Sequence, residues 1–442
     1  MKIIRKVAGA MQEVLGRGMD ALGRKSGCIQ RQRKFSGSGL LRTMVLTLLR
    51  CPAAKDRDYQ TTAAQLGIDV TAEAIGRRFT SALVLFLSRV LTQVLAQVLA
   101  APKTDVPLLR KFTQVLIGDS TSLALPDALA DQFPGCGGTG ASGKAALKIQ
   151  VLWDLLTGGF VQLLLEPGRA SDAKSAIAQR LPPRGSLSIF DLGYFSLERF
   201  RRLSDHRAYW ISRWQHGTLL FDPQGCAFPL LSWLKKHTGL VDLTILAGEQ
   251  ERLPCRLIAV PVPQEVAARR RQKIREKAAD HGRMASQEYL DLQDWTLFIT
   301  NCESALLTWK EVVVLYRARW QIELLFKLWK SHNHLAACES DVSPERHLAV
   351  LYAKLIGVIL QHWILLTAMW INDRRSLRKA AITLREWIVL LAEVLDNSRR
   401  LCLYLQRLQM AVAKAAHVTS RTKHPSAFQL LENPELLEYT FS

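Results

Sequence analysis

The sequence predicts a mixed α/β domain set between two helical regions, and three observations predict it. Short apolar or alternating runs recur between residues 111 and 165 and again at 187–190, 208–212, 241–247, 256–262 and 295–300, which is the pattern of strands. The segments before residue 105 and after Pro344 are instead leucine-rich at helical spacing. The third observation is length: 442 residues, 48% of them hydrophobic, exceed one ordinary core and suit about two to four domains.

Charge narrows the partner. Lys and Arg number 59 against 39 acids, a formal +20, which favours a polyanion, nucleic acid before an anionic membrane surface. The eight cysteines are scattered without a CxxC pair, which argues against a zinc site or a disulfide framework and for a reducing cytosol. No stretch reads as a membrane span: Leu348 to Ile371 comes nearest but carries Lys354, Gln361 and His362, so a buried helix is expected. The basic first 34 residues lack an apolar signal core, and no targeting is read there.

In order, residues 1–50 hold eleven Lys or Arg against Glu13 and Asp20, the densest positive segment. Gly39 to Leu49 reads as a helix, and Tyr59 to Leu91 as helices broken near Gly67 to Val70. AAQLGIDVTAEAIGRRF has helix-turn-helix character, with Gly67 in the turn, Thr71 as N-cap and Arg77 and Arg78 on the second helix. A helical hairpin without a DNA role fits it equally. FTQVLIGDSTSLALP then reads as a strand whose last apolar residues, Leu116 and Ile117, deliver Asp119 and Ser120 at its end. Leu147 to Leu156 and Phe160 to Leu165 read as a hairpin turning at Gly158-Gly159. Ser171 to Arg180 reads as a helix, and Leu187 to Phe190 as a strand running into Asp191.

Strand-like runs at Ala208 to Ser212, Val241 to Ala247 and Arg256 to Val262 precede a basic segment, Ala267 to Arg283, and a strand at Trp295 to Thr300. Such a charge run is most often a solvated face. GTGASGK, Gly138 to Lys144, falls short of a phosphate loop because Ala145 supplies no hydroxyl and DQFPGC before it is not a strand. No nucleotide cofactor is expected.

The most informative stretch is Leu315 to Lys330, LYRARWQIELLFKLWK, inside a helix expected from Thr308 to Lys330. At about 3.6 residues per turn, Tyr316, Arg319, Glu323, Lys327 and Lys330 share one face, and Leu315, Ala318, Ile322, Leu325 and Trp329 line the other. Read by spacing alone this is an amphipathic helix with ion pairs one turn apart. The order of residue types says more: Tyr, two residues, Arg, three residues, Glu, six residues, Lys resembles the Y-R-E-K signature of bacterial insertion-sequence DDE transposases of the insertion-sequence-four group. IGDSTSL around Asp119 and DLGYF at Asp191 are similar to that family's first two acid motifs, in the right order before Glu323.

The resemblance covers residues 110–335 and implies a ribonuclease H-like catalytic core with a mainly β insertion, flanked by helical N- and C-terminal regions. The implied division is 1–105 for binding DNA ends, 106–204 and 295–335 for the two parts of the catalytic domain, 205–294 for the insertion, and 336–442 for a helical, dimerising region. It implies Asp119, Asp191 and Glu323 as catalytic and metal-holding acids, with two Mg²⁺ ions, Mn²⁺ substituting. Such a pair sits about 3.5–4 Å apart and steadies attacking and leaving oxygens. Each acid alone also reads as a turn or cap residue. Asp127, Asp131, Asp154 and Asp172 sit in no matching motif.

Tyr316, Arg319 and Lys330 resemble phosphate-contacting residues. Trp295, 28 residues before Glu323, resembles an indole on which family members stack a flipped base, and a half-buried core Trp is the other reading. Arg213 resembles a basic residue that supports the distorted hairpin end of the DNA on which that base is flipped, or is a plain strand arginine. The implied activity is transposition in the bacterial cytoplasm, at the nucleoid: binding terminal inverted repeats, pairing them as a homodimer, cleaving by water attack, and joining the freed 3′-hydroxyl to target DNA. A DNA-binding protein without catalysis, or a nuclease that nicks without joining, shares the charge and much of the pattern.

Overall fold

The computed structural model describes residues 2–31, 34–137, 143–337, 342–369, 376–418 and 425–437. Its nine strands are β1 (Val115–Leu125), β2 (Ala145–Asp154), β3 (Phe160–Pro167), β4 (Leu187–Phe190), β5 (Tyr209–Arg213), β6 (Leu220–Phe221), β7 (Val241–Ala247), β8 (Leu253–Pro261) and β9 (Trp295–Thr300). They form a sheet ordered β3-β2-β1-β4-β5-β9-β8-β7-β6, with helices before and after it in the chain. The chain divides into two compact units. The first holds Met1–Thr104, Ser120–Ala170 and Ile322–Ser420, and the second holds Asp105–Asp119, Ser171–Gln321 and Arg421–Ser442.

The first unit is mostly helical. Its central helix, Pro344–Met369, packs against Gly37–Arg50, Ser81–Ala96 and Ser398–Ala415. By length and composition Pro344–Ala368 does pass as a membrane span, which corrects the expectation that no stretch would, because its polar residues are too few among the leucines, isoleucines and valines to lower the mean hydropathy. Those side chains are buried and engaged inside the protein. Lys354 donates to the carbonyls of His334 (2.8 Å) and Ala337. Gln361 accepts from Asn333 Nδ2 (2.9 Å). His362 donates through Nε2 to Gly158 O (2.8 Å) and stacks on Phe160 at 3.8 Å. Burial pushes the His362 pKa down to about 4, so the ring is neutral at neutral pH.

β2 and β3 pair antiparallel in this unit. Their turn is held by Asp154, which accepts from Leu156 N (3.0 Å) and Thr157 Oγ1 (2.7 Å), and by Gly158 at φ +68°. Asp154 is thereby a structural carboxylate. The expected helix-turn-helix is cut short: after Asp56–Gln65 the second helix is only Ala72–Gly76, because Thr80 opens a new helix, Ser81–Ala96, four residues later. Arg78 lies over the Phe35 ring (4.9 Å) and Arg77 pairs with Glu73 (2.6 Å). Most of the GTGASGK run, 138–142, lies outside the described residues.

In the second unit the start of β1 runs parallel to β4, and β4 parallel to β5. From β5 the ladder continues antiparallel through β9, β8, β7 and β6. Alternation along β9 sends Leu297 and Ile299 into a cluster with Trp210, Leu257 and Phe200, the last stacked on Trp210 at 4.3 Å. The expected helix at Ser171–Arg180 is broken instead: a short 3₁₀ turn, Asp172–Lys174, is followed by Ala176–Gln179, because Ser175 takes an extended conformation and caps the second piece.

Candidate active site

Asp119 does not end its strand, as the sequence suggests it should. β1 runs on to Leu125, since Thr121, Leu123 and Leu125 keep burying alternate positions. What ends near Asp119 is the pairing with β4, whose last registered pair is Gly118 with Phe190. The next residues on the two parallel strands are Asp119 and Asp191, so both carboxylates leave from equivalent positions on the face opposite the Phe190 ring. Gly118 makes this possible: a Cβ there would lie 2.1 Å from the Phe190 ring. Asp191 also begins a 3₁₀ turn, Leu192–Tyr194.

The expected helix Thr308–Lys330 is three consecutive pieces: Trp309–Ala318, Trp320–Lys327 and a π-turn, Leu328–His332. A capping box opens it, in which Thr308 and Glu311 satisfy each other's backbone N–H. Lys111 reinforces that start by donating to Glu311 (2.7 Å) and Leu306 O (2.9 Å). Leu315, Ala318, Ile322, Leu325 and Trp329 are all buried. Tyr316 and Arg319 are buried as well, and Trp320 is 60% exposed.

Arg319 is turned to the strands. Its Nη1 donates to Asp119 (3.1 Å), and its Nη2 stands 3.7 Å from Asp191. One guanidinium therefore bridges both acids and offsets one of their two charges. Tyr316 packs edge-on against Phe298 of β9 (5.2 Å), and burial raises its pKa against the opposing pull of Arg319 and Arg213. Arg213 stands directly across from Phe298 in the β5–β9 register, its guanidinium 5.7 Å from that ring. Burial lowers the Arg213 pKa, while Tyr316, Tyr289 and Asp191 oppose that shift.

Trp295 belongs to the other face of β9, where it packs half-buried against the Leu297 and Ile299 cluster. Glu323 and Lys330 lie in the first unit, Glu323 half-buried and Lys330 exposed, with the Lys330 pKa lowered by partial burial.

Among the described residues no three His, Cys, Asp or Glu side chains gather tightly enough to hold a metal ion. Asp119 and Asp191 nevertheless supply two hard carboxylates that already share one cation, a pair that fits a divalent ion. Arg270 is a site residue that sequence reasoning misses. It donates to Thr296 Oγ1 (3.1 Å) on the same strand face as Phe298, and nothing in a run of three arginines marks which one turns inward.

Residues 110–341 match the family model described as the Transposase DDE domain. The chain belongs to the DDE transposase family. It is 27% identical to the transposase for insertion sequence element IS231F of Bacillus thuringiensis subsp. israelensis, over 93% of this chain and 92% of that protein. Identity is also 27% to the transposase for IS1151 of Clostridium perfringens, over 67% and 66% of the two chains. To the putative transposase InsL for IS186A of Escherichia coli K12 it is 28%, over 54% and 64%. An insertion-sequence transposase of the insertion-sequence-four group fits these relatives, and the enzyme family is generally divalent-metal dependent. The matched domain contains both strand acids, Arg319 and Glu323.

Proposed function

We propose that this transposase binds the terminal inverted repeats of its own element and catalyses their cleavage and transfer to target DNA. The observation that carries the reading is the shared placement of Asp119 and Asp191, in neighbouring register and bridged by Arg319, within the DDE-matching segment. The order β3-β2-β1-β4-β5, with β1, β4 and β5 parallel, supports a ribonuclease H-like core.

In this reading Asp119, Asp191 and Glu323 hold divalent ions, Mg²⁺ or Mn²⁺, which when bound stabilise charge on the attacking and leaving oxygens. The protein's own residues bind and orient the DNA. Tyr316, Arg319 and Lys330 hold phosphate near the scissile bond, Arg213 supports the distorted strand, and the free edge of half-buried Trp295 stacks a displaced base. Water attacks the phosphorus and the 3′-oxygen leaves carrying a proton; the resulting 3′-hydroxyl then loses its proton as it attacks a second phosphodiester, whose own 3′-oxygen leaves as a hydroxyl. In-line transfer of this kind requires positioning and charge stabilisation and no nucleotide cofactor. Two ends held together call for a homodimer, and the site of action is the cytoplasm, at the nucleoid.

The test is cleavage and joining of labelled terminal-repeat duplex with Mg²⁺, native chain against Glu323→Ala. Joined product that vanishes in the variant while binding persists supports the proposal. Native protein that binds but leaves the duplex uncut defeats it, and nicking without joining reduces the activity to hydrolysis.

A further inference from the structure

A guanidinium taken out of water normally meets a carboxylate, because an uncompensated buried charge is strongly unfavourable. Two arginines of the second unit, both half-buried, depart from this rule side by side. Arg213 projects from β5 with its Nε buried and without a hydrogen-bond partner. Asp191 acts on it only from beyond ion-pair distance. Arg270 comes from the basic helix Gln264–Asp280 and reaches only neutral acceptors, Thr296 Oγ1 (3.1 Å) and Trp295 O (3.4 Å). Its neighbour Arg271 turns outward to Asp294 (2.7 Å), as a surface arginine usually does.

The strand register brings the pair together. Arg213 lies opposite Phe298, and Thr296 lies two residues along β9 on the same face. Both guanidiniums therefore cover one patch of the β5–β9 surface, and burial together with like-charge repulsion from Arg213 lowers the Arg270 pKa. Tyr289 borders Arg213 and contacts His216 at 4.6 Å, which gives the patch an aromatic rim. Two neighbouring cations with no acid in ion-pair contact to balance them form an incomplete site for a small anion.

We propose that Arg213 and Arg270 together clamp one backbone phosphate of the DNA, separate from the phosphate near the scissile bond assigned to Tyr316, Arg319 and Lys330. The proposal rests on the DNA-cleaving reading above and adds Arg270 to it. A phosphodiester suits the pair because its two free oxygens can take two planar forks arriving from different elements. The remaining cations of the helix, Arg269, Lys273, Arg275 and Lys277, are exposed and supply a field of the same sign along which a strand can run. Arg270 thus fixes register on the DNA, and its exposed neighbours act as general counter-charge.

The test couples protein and DNA changes. Terminal-repeat duplexes are made with a single neutral methylphosphonate at each position in turn, and their affinities are measured for the native chain, Arg270→Gln and the exposed control Arg269→Gln. The expected result is one position at which native protein loses roughly ten- to hundredfold, the loss of one charge-assisted contact. Arg270→Gln should lose as much on unmodified DNA and no more than about twofold further at that position. Its dependence of log affinity on log salt should flatten by about one contact. Arg270→Lys, which keeps the charge and loses the fork, should fall between, and serves if the Gln variant is unstable.

If native protein binds and cuts the duplex but Arg270→Gln couples to no position and behaves as Arg269→Gln, the clamp is overturned and the transposase reading stands. Competition by poly-glutamate as effective as by duplex of equal charge also overturns it, in favour of an acidic peptide. A native chain that neither binds nor cuts takes both readings down.

Discussion

The central helix Pro344–Met369 buries strongly polar side chains and the β5–β9 face half-buries them, and the two treat them in opposite ways. On the helix, Lys354, Gln361 and His362 each meet a protein partner at hydrogen-bond distance. On the strand face, Arg213 has an orphaned Nε and Arg270 has only neutral acceptors. The helix side chains complete the fold, and the strand-face arginines are left without a carboxylate in ion-pair contact. A buried polar group that is satisfied contributes to stability, whereas one left unsatisfied costs stability and marks a place for function.

The largest effect should come from removing a satisfied group. Lys354→Met removes a charged donor shared by the His334 and Ala337 carbonyls, the first of which keeps Ala337 N as a donor, and should cost roughly 3–6 kcal/mol in denaturant unfolding at about 1.5–3 per charge-assisted bond. A loss below about 1 kcal/mol would sink the idea that the helix side chains are structural.

His362 sharpens the same side. Its folded pKa of about 4 lies below the unfolded 6.5, so the unfolded chain binds more protons between those values. Stability is therefore full above pH 6.5 and declines as pH falls toward 4, by roughly 3 kcal/mol attributable to this ring. Melting curves of native protein and His362→Phe should diverge across that window, the variant being the flatter.

On the sheet side, Gly118→Ala drives a methyl group into the Phe190 ring and should cost about 1–3 kcal/mol by overpacking. Activity should fall further than stability does, because the same shift misplaces Asp119. Equal losses in binding and turnover, with cleavage per bound complex unchanged, would separate Gly118 from the site.

The smallest thermal effect, and the most discriminating, is Arg213→Met. Removing a buried cation with no ion-pair partner should leave stability unchanged or raise it by roughly 0–1 kcal/mol, while DNA affinity drops. A melt lowered as far as that of Lys354→Met would erase the contrast between the two regions.

Much of this architecture is legible in the amino-acid sequence alone. β7 and β9 fall where alternation places them, Val241–Ala247 and Trp295–Thr300, because a sheet with one face on a core writes a period of two into the chain. The placement of Asp191 just beyond Leu187–Phe190 is readable for the same reason. The continuation of β1 past Asp119 is not, since STSLAL is small and polar enough to pass for a turn. Spacing puts Arg319 on the Glu323 face but gives no hint that it is buried against Asp119 and Asp191, because a helical period describes neighbours on one helix and not what the helix meets. Arg270 is hidden for a related reason: three arginines in succession differ only in where the backbone points them. Trp295 is recognisable as a strand-leading indole, and only the alternation observed in β9 shows which side it takes.

The pairing of Gly118 with Phe190 also bears on which deletions the gene can tolerate. Removing one codon within Leu187–Phe190 would shift Asp191 to the far side of the sheet and swing the Phe190 ring onto the face it leaves, silencing the site without necessarily unfolding it. Removing one from the connection at 180–185 leaves the register intact, so length variation in that short connection should be common among working copies, and in those four strand positions absent.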